Sequence, residues 1–424
     1  MSGKIALPRS ILFSFLLFSS SWAHSYSLKK ITVSGSTRIA EADIVKATGL
    51  KPGSTITADD LKQAADRLTQ SGVFGQVNYK FDGESAEYTV ADAEQFVPAV
   101  FENFVWFTDA ELSSQVHSSV PLFTGVIPLT GNLSDQVCAA LDSLLKEKGV
   151  PGHTIATNNP TTGEVQMMQF RIVGINVQIS GISFPGAAPD RLSLLQAATK
   201  NLIGTTYMKS SLTQQVRQTC LRVYGKLGFL KAQLGAPHTE LTRQDPAQPT
   251  VAVEVYIQEG DPYVFSAADW TGNQAISAAE LMKLIDLKPG IEADSVRLAG
   301  DIAAAKDLYG TKGYMNALVK SSATLDGNRH TAVFHLEVHE GSLYHMGKFQ
   351  TQDLDPRQAE LVHRVWELHE GDVYDANYPK VFLKQHPHEL QSLNGWGAVY
   401  TQTIHDDTLA VDLTLKFQRL DQPR

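Results

Sequence analysis

Nowhere in the 424 residues does an apolar run reach the ~18 residues that a membrane-crossing helix needs. A helical membrane protein is therefore excluded at the level of sequence. Positive charge is in the minority, with 36 Lys and Arg against 45 Asp and Glu and a net charge of −9. Nucleic-acid binding and polybasic attachment to a membrane surface both need clustered cations, and neither fits that balance. Cysteine is nearly missing, at 2 residues. Cys138 and Cys220 each fall in a helical apolar pattern. Cys220 lies in the row Leu212, Val216, Cys220, Val223, which is one helix face, so both thiols read as core rather than as a disulfide. A zinc or redox centre would need further ligands beside them. Also missing are a Gly-x-Ser-x-Gly elbow, a phosphate loop and a Gly-x-Gly-x-x-Gly after a strand. What remains is ordinary globular composition, 43% hydrophobic with 31 Gly and 18 Pro, and a length that suggests two to four domains of ~100–200 residues each.

The N-terminus reads as a secretory signal over residues 1–23. Lys4 and Arg9 give it a positive start, residues 11–18 an apolar run, and Ser21-Trp22-Ala23 a small-x-small cleavage site. The mature chain would start near His24 and work outside the cytoplasm.

The rest of the sequence repeats. Residues 41–54 (EADIVKATGLKPGS) and 278–291 (AAELMKLIDLKPGI) each read as a short amphipathic helix ending in Leu-Lys-Pro-Gly. The same punctuation recurs as Leu202-Ile203-Gly204 and His369-Glu370-Gly371, and more weakly as Leu129-Thr130-Gly131. A second marker, glycine followed by an apolar or aromatic residue, trails each one. It stands at Gly72, Gly149, Gly228, Gly313 and Gly395, with gaps of 77, 79, 85 and 82 residues. Two markers keeping one period indicate tandem units of about 80 residues, large enough for a modest core.

Between the markers lies a second helix. Thr57-x-x-Asp60 resembles a capping box, and Leu61, Ala65 and Leu68 follow at helical spacing, as do Leu298, Ile302, Ala305 and Tyr309. Strict alternation at 251–257, 332–338 and 409–417 marks strands with one buried face. The preceding strands are read at 73–81, 229–234 and 314–321, and Asp326-Gly327-Asn328 supplies a turn. The fold class expected is α+β, as tandem β-α-α-β-β repeats, each a three-stranded mixed sheet with two helices on one face. Five repeats fit, at 28–95, 96–173, 174–260, 261–341 and 342–420.

This order resembles the POTRA family, the periplasmic domains of outer-membrane β-barrel assembly factors and of two-partner secretion transporters. The resemblance is carried by the strand-Gly opening Ile31-Thr32-Val33-Ser34-Gly35 and by the Gly-Val-Phe entry to the second strand. It is carried also by the joints Glu259-Gly260-Asp261-Pro262-Tyr263 and Glu340-Gly341-Ser342-Leu343-Tyr344. Repeat two departs in an aromatic first strand near 101–107. Repeat five departs where Pro379, His386, Pro387 and His388 shorten or break its second helix. The family normally carries a C-terminal barrel of 8 or more strands, and no barrel pattern is read before Arg424.

The resemblance implies that the second strand of each repeat is a free edge on which an extended segment can pair. That places candidate partner-binding residues at Val73, Phe74 and Val77, at Phe229 and Leu230, at Tyr314 and Met315, and at Trp396 and Val399. Lys80, Lys231 and Lys320 fit equally an edge that is guarded by charge. His335 and His339 share one strand face, where they read as a solvated pair rather than as metal ligands. Asp59, Asp60, Asp406 and Asp407 read as helix-start and turn residues, and Asn132-Leu133-Ser134 as the loop before a helix. The expected function is a non-enzymatic periplasmic module, near the outer membrane and without catalytic, cofactor or metal residues. It would engage extended outer-membrane or secreted protein segments. The alternative is a scaffold that spaces envelope proteins or completes a barrel encoded on another chain, and an envelope hydrolase or metalloenzyme is the remote third.

Overall fold

The computed structural model describes residues 25–159, 166–243, 245, 248–385 and 396–419. The secretory signal at 1–23, the marker Gly395, and the helix interruption at His386, Pro387 and His388 lie outside the described residues.

Repeat one runs β1 (Ser25–Ser27), β2 (Lys30–Ser34), α1 (Glu41–Thr48), β3 (Thr55–Thr57), α2 (Ala58–Gln70), β4 (Phe74–Phe81) and β5 (Ser85–Asp92). Repeat two runs β6 (Phe96–Phe101), α3 (Asp109–Ser119), β7 (Val126–Pro128), α4 (Leu133–Glu147), β8 (His153–Asn159) and β9 (Met167–Val173). Repeat three has β10 (Gln178–Ser183), α5 (Pro189–Thr199), α6 (Lys209–Lys226), β11 (Gln233–Leu234), β12 (His238–Arg243), β13 (Thr250–Glu254) and β14 (Ile257–Gln258). Repeat four has β15 (Val264–Thr271), α7 (Ala278–Met282), α8 (Ser295–Thr311), β16 (Leu318–Asp326) and β17 (Thr331–His339). Repeat five has β18 (His345–Gln352), α9 (Pro356–Val365), α10 (Tyr378–Gln385), β19 (Trp396–His405) and β20 (Ala410–Arg419).

Four repeats build a three-stranded sheet with the last strand in the middle, in the orders β2-β5-β4, β10-β13-β12, β15-β17-β16 and β18-β20-β19. In repeats one, two, four and five the first strand pairs parallel to the last, and the second pairs antiparallel to it. Repeat two adds the short β7 outside β6, giving β7-β6-β9-β8. By packing, the chain divides into two compact units. One holds the described residues up to Gly181 with Gly204–Leu212 and Thr239–Ala252. The other holds Ile182–Ile203, Thr213–His238 and the described residues from Val253 onward.

The central strands show why the sheets form. Ala86, Tyr88 and Val90 are buried on β5, as are Ala332, Phe334, Leu336 and Val338 on β17, and Val411, Leu413, Leu415 and Phe417 on β20. Each large apolar side chain so buried contributes ~1.5–3 kcal/mol. Leu409 does not join its strand; it sits in the preceding turn at φ 52°. The helices bury matching stripes, Leu61, Ala64, Ala65 and Leu68 on α2 and Leu298, Ala305 and Tyr309 on α8. The capping box at Thr57 and Asp60 forms, and Thr108 with Glu111 and Asp355 with Gln358 make two more. Pro379 lies in the first turn of α10, where its missing N–H has no helical partner to lose.

Three corrections concern repeat two and the chain markers. The aromatic first strand ends at Phe101, because the Asn103 side chain takes over the pairing. Its Nδ2 donates to the Ile172 carbonyl at 3.0 Å, and its Oδ1 accepts the Ile172 N–H at 2.8 Å. The Leu129-Thr130-Gly131 marker is not the counterpart of Pro-Gly. In repeats one, three, four and five, the first strand exchanges bonds with the residue pair Gly53-Ser54, Gly204-Thr205, Gly290-Ile291 or Gly371-Asp372. In repeat two the Ala99 N–H donates to Gly125 instead. The marker glycine caps the preceding helix, but in repeats two, three and four the residue after it does not start the strand. The N–H of Val150, Phe229 and Tyr314 each reaches the carbonyl five residues back, and the N–H of the glycine before each reaches the one three back. With that glycine at positive φ, this is a Schellman cap. Tyr309–Tyr314 and Tyr224–Phe229 then meet edge to face, so the aromatic residue folds back onto its own helix.

A strap closes the end of the central strand. Gly35, Gly186 and Gly272 follow their first strands at positive φ, and a Cβ on any of them would run into the carbonyl of Val90, Ile257 or Val338. Two residues beyond each carbonyl stands a carboxylate: Asp92, Glu259 or Glu340. Asp92 accepts from Ser36 Oγ and from the Thr37 N–H and hydroxyl. Glu259 accepts from the Ala188 N–H, from Arg191 and from the Tyr224 hydroxyl at 2.8–3.0 Å. Glu340 accepts from the N–H groups of Gln274 and Ala275 and from the Tyr309 hydroxyl. Repeat five keeps the turn with Asp353 at φ 63°, but its strand reaches Arg419 where the acid would stand.

Burial pushes the Glu259 carboxyl up, and the bonds from Arg191, Ala188 and Tyr224 outweigh it, so it sits below the ordinary 4.5. Asp92 is likewise pushed up by burial and held below 3.8 by Ser36 and Thr37. A depressed folded value means stability that is present above the unfolded-state range and lost as pH falls through the folded value. Replacing Glu259 with Gln should lower stability in urea unfolding by about 2 kcal/mol at pH 7, since Arg191 loses its charged partner. The gap between the variant and the unchanged chain should close as pH drops below ~4. A gap that stays constant down to pH 3 would mean that the carboxylate charge contributes nothing.

Candidate strand-pairing edges

The sheet orders put the second strand of every repeat on the outside: β4, β8, β12, β16 and β19. Each pairs on one side only among the described residues, which leaves a row of outward N–H and C=O groups. The edge follows from the strand order. A parallel first strand locked to the central strand occupies one flank, so the hairpin partner takes the other.

Of the sequence candidates, Phe74 and Val77 lie on β4, Phe74 buried and Val77 packed against the core. Val73 is buried in the turn before it. Trp396 and Val399 lie on β19; Trp396 packs half-buried with the Arg419 guanidinium over its ring, and Val399 is 63% exposed. Phe229, Leu230, Tyr314 and Met315 are not on an edge strand. They occupy the turns that follow α6 and α8, since the Schellman cap turns the chain before β12 and β16 begin. The edges of repeats three and four are residues 238–243 and 318–326 instead, starting nine and four residues later than expected. The structure brings Leu230 and Tyr314 onto the core of repeat four and Met315 and Trp396 onto that of repeat five, and keeps Val73, Phe74 and Val77 on the core of the first compact unit.

The edges differ in charge. On β4 Lys80 stands opposite Glu87, and on β16 Lys320 stands opposite Glu337. Lys231, expected as a guard, lies in a turn with its Nζ 5.5 Å from the Tyr263 ring centroid. Neither β8 (HTIATNN) nor β19 (WGAVYTQTIH) carries Asp, Glu, Lys or Arg. Inward charge and lysine are the usual protection against unwanted pairing, and these two strands have neither.

On the open face of repeat four, His335 lies between Asp269 Oδ2 at 2.8 Å and Thr324 Oγ1 at 2.9 Å. Its side chain is 42% exposed, so this row is a solvated cross-strand ladder. His339 faces Glu337 at 3.6 Å. Asp60 is spent in its capping box and Asp406 accepts from the Tyr344 hydroxyl. Burial pushes the Cys220 thiol up to about 12 and the Cys138 thiol up to about 11, the latter helped by Asp142 and Asp135, which disfavours thiolate chemistry. Sequence reasoning did not find the strap tyrosines. Their signal was present, because Tyr224 and Tyr309 both stand four residues before a marker glycine.

Residues 26–91 and 263–341 match the POTRA family, described as a surface antigen variable number repeat. A protein of Treponema pallidum (strain Nichols) described as an outer membrane protein assembly factor is 22% identical over 276 residues, covering 62% of this chain. The chain spans about a third (33%) of the length of that relative. Among solved structures, POTRA3-5 of Haemophilus influenzae BamA is 18% identical with a TM-score of 0.45, covering 57% of this chain and 96% of that one. POTRA4 of the same BamA is 28% identical over 19% of this chain and 94% of its own, at a TM-score of 0.19. CdiB from Escherichia coli is 16% identical, covering 56% of this chain and 36% of its own, at a TM-score of 0.21. The two matched regions, 26–91 and 263–341, share the sheet order and the strand-end glycine, and they are the parts of the chain that are similar to POTRA domains.

Proposed function

We propose that the chain is a non-enzymatic periplasmic module of five POTRA-like domains, divided at 28–95, 96–173, 174–260, 261–341 and 342–420. It engages extended segments of outer-membrane or secreted proteins by β-augmentation, in outer-membrane protein assembly or protein translocation. The observation that carries this reading is the recurrence, five times along one chain, of the second strand at a sheet edge. Backbone bonds supply affinity in such pairing and need little from the client's sequence, which suits clients that are many and unfolded. The assembly-factor relative supports the same process, and the partners are then unfolded or extended segments of client proteins. The competing reading, a scaffold that spaces envelope proteins, draws on the lysines that guard β4 and β16.

The test is titration of the full chain with a ten-residue peptide of alternating apolar and polar residues, and with two copies N-methylated at alternate amides of one register or the other. Pairing predicts that one methylated copy binds at least about tenfold more weakly, through lost hydrogen bonds, while the other keeps its affinity. Equal binding of all three would rule out augmentation, and binding of none would favour the scaffold.

A further inference from the structure

Repeat four has a cavity of about 440 Å³ beside its edge strand. Its lining joins Ser321 and Ala323 of β16, Ile302 of α8 and Phe334 of β17 to Leu221 and Gly225 of α6 and to Phe229 and Leu230 of the turn that follows α6. No Asp, Glu, Lys or Arg is among the lining residues.

On the strand side the lining is small. The register can be counted from the strand-end turn, which meets Val90 in repeat one, Val338 in repeat four and, by the pairing of Gln352 with Lys416, Phe417 in repeat five. Two and four residues before those points, repeat one sets Tyr79 opposite Tyr88 and Phe81 opposite Ala86. Repeat five sets Tyr400 opposite Leu415 and Gln402 opposite Leu413. Repeat four sets Ser321 opposite Leu336 and Ala323 opposite Phe334. Where its relatives within the same chain cover the groove between outer strand and helix with their own bulk, repeat four leaves it open.

We propose that this cavity receives two large uncharged side chains, at positions i and i+2 of a partner strand that pairs with β16. The inference rests on the edge-pairing reading above and adds to it a side-chain preference confined to repeat four. A strand laid along β16 sets its Cβ atoms ~4.5–5.5 Å from those directly opposite. The two residues facing Ser321 and Ala323 would therefore point into the cavity, on the side where β16 turns toward α8. The uncharged lining selects apolar or aromatic side chains, and strands destined for a membrane barrel carry such residues at every second position. The occupant is thus an amphipathic strand of a partner protein with two bulky residues on one face.

The experiment compares two ten-residue peptides of identical alternating sequence, one with Phe and one with Ala at the two facing positions. Both are titrated into the full chain by calorimetry. The Phe peptide should bind at least tenfold more tightly. That preference should vanish in Ser321→Tyr, which installs what repeats one and five carry there, and fall in Ala323→Gln, which copies repeat five. Circular dichroism confirms that each variant is folded. Equal affinity of the two peptides, or a preference that survives both substitutions, overturns the cavity assignment while leaving edge pairing intact. Binding of neither peptide overturns both. Capture of a free apolar probe, such as toluene, with no peptide preference would mark the cavity as a small-molecule site and overturn the inference.

Discussion

A glycine pressed against a carbonyl, with a carboxylate two residues further along, ties the first strand to the last in repeats one, three and four. At Gly35, Gly186 and Gly272 the chain leaves its first strand at positive φ, in contact with Val90, Ile257 or Val338. The acid beyond then binds the N–H groups of the departing turn and, in repeats three and four, the tyrosine of the second helix. In repeats three and four the first strand, helix entry, second helix and last strand thus meet at one carboxylate. With the first strand held parallel on one flank of the last, the second strand has only the other flank.

The same residues join one repeat to the next. Tyr263 and Tyr344 each donate an N–H to the carbonyl of the preceding helix-capping glycine, Gly228 or Gly313. The Ala376 N–H reaches the Gly310 carbonyl near the end of α8, and the Asn132 N–H reaches the Gln70 carbonyl at the end of α2. Carbonyls that a helix end leaves without a partner are thereby satisfied by the following repeat. Repeat two uses other means. Glu102, buried, accepts from the Ser210 N–H at 2.9 Å at the start of α6.

The sequence announced its period, its capping boxes and its central strands, because those signals are local: Thr57 with Asp60, or alternation at 332–338. It misled where one local pattern serves two structures. The marker glycine is legible as a helix cap, but the aromatic residue after it, which looks like the start of a strand, folds back onto its own helix in repeats three and four. Only the distance from Tyr224 to Phe229, one turn and a cap apart, distinguishes the two structures. Gly125 was illegible because no Pro or Leu marks it, and Asn103 because a side chain imitating backbone has no periodicity. The strap was invisible for a further reason, that Asp92 meets Ser36 and Thr37 across 55 or more residues. The cavity in repeat four could be seen only once the register allowed Ser321 and Ala323 to be compared with Tyr79, Phe81, Tyr400 and Gln402.

Function then turns on whether the free edges are used. Two of them, β8 and β19, lack the charges that would discourage pairing, and a third, β16, adds room for side chains. Amide hydrogen exchange on the full chain, with and without an extended outer-membrane protein segment, tests this most directly. The account predicts that alternate amides within 74–81, 153–159, 238–243, 318–326 or 396–405 become protected while those of the central strands do not change. Protection confined to the helices, with every edge amide exchanging as before, would contradict it.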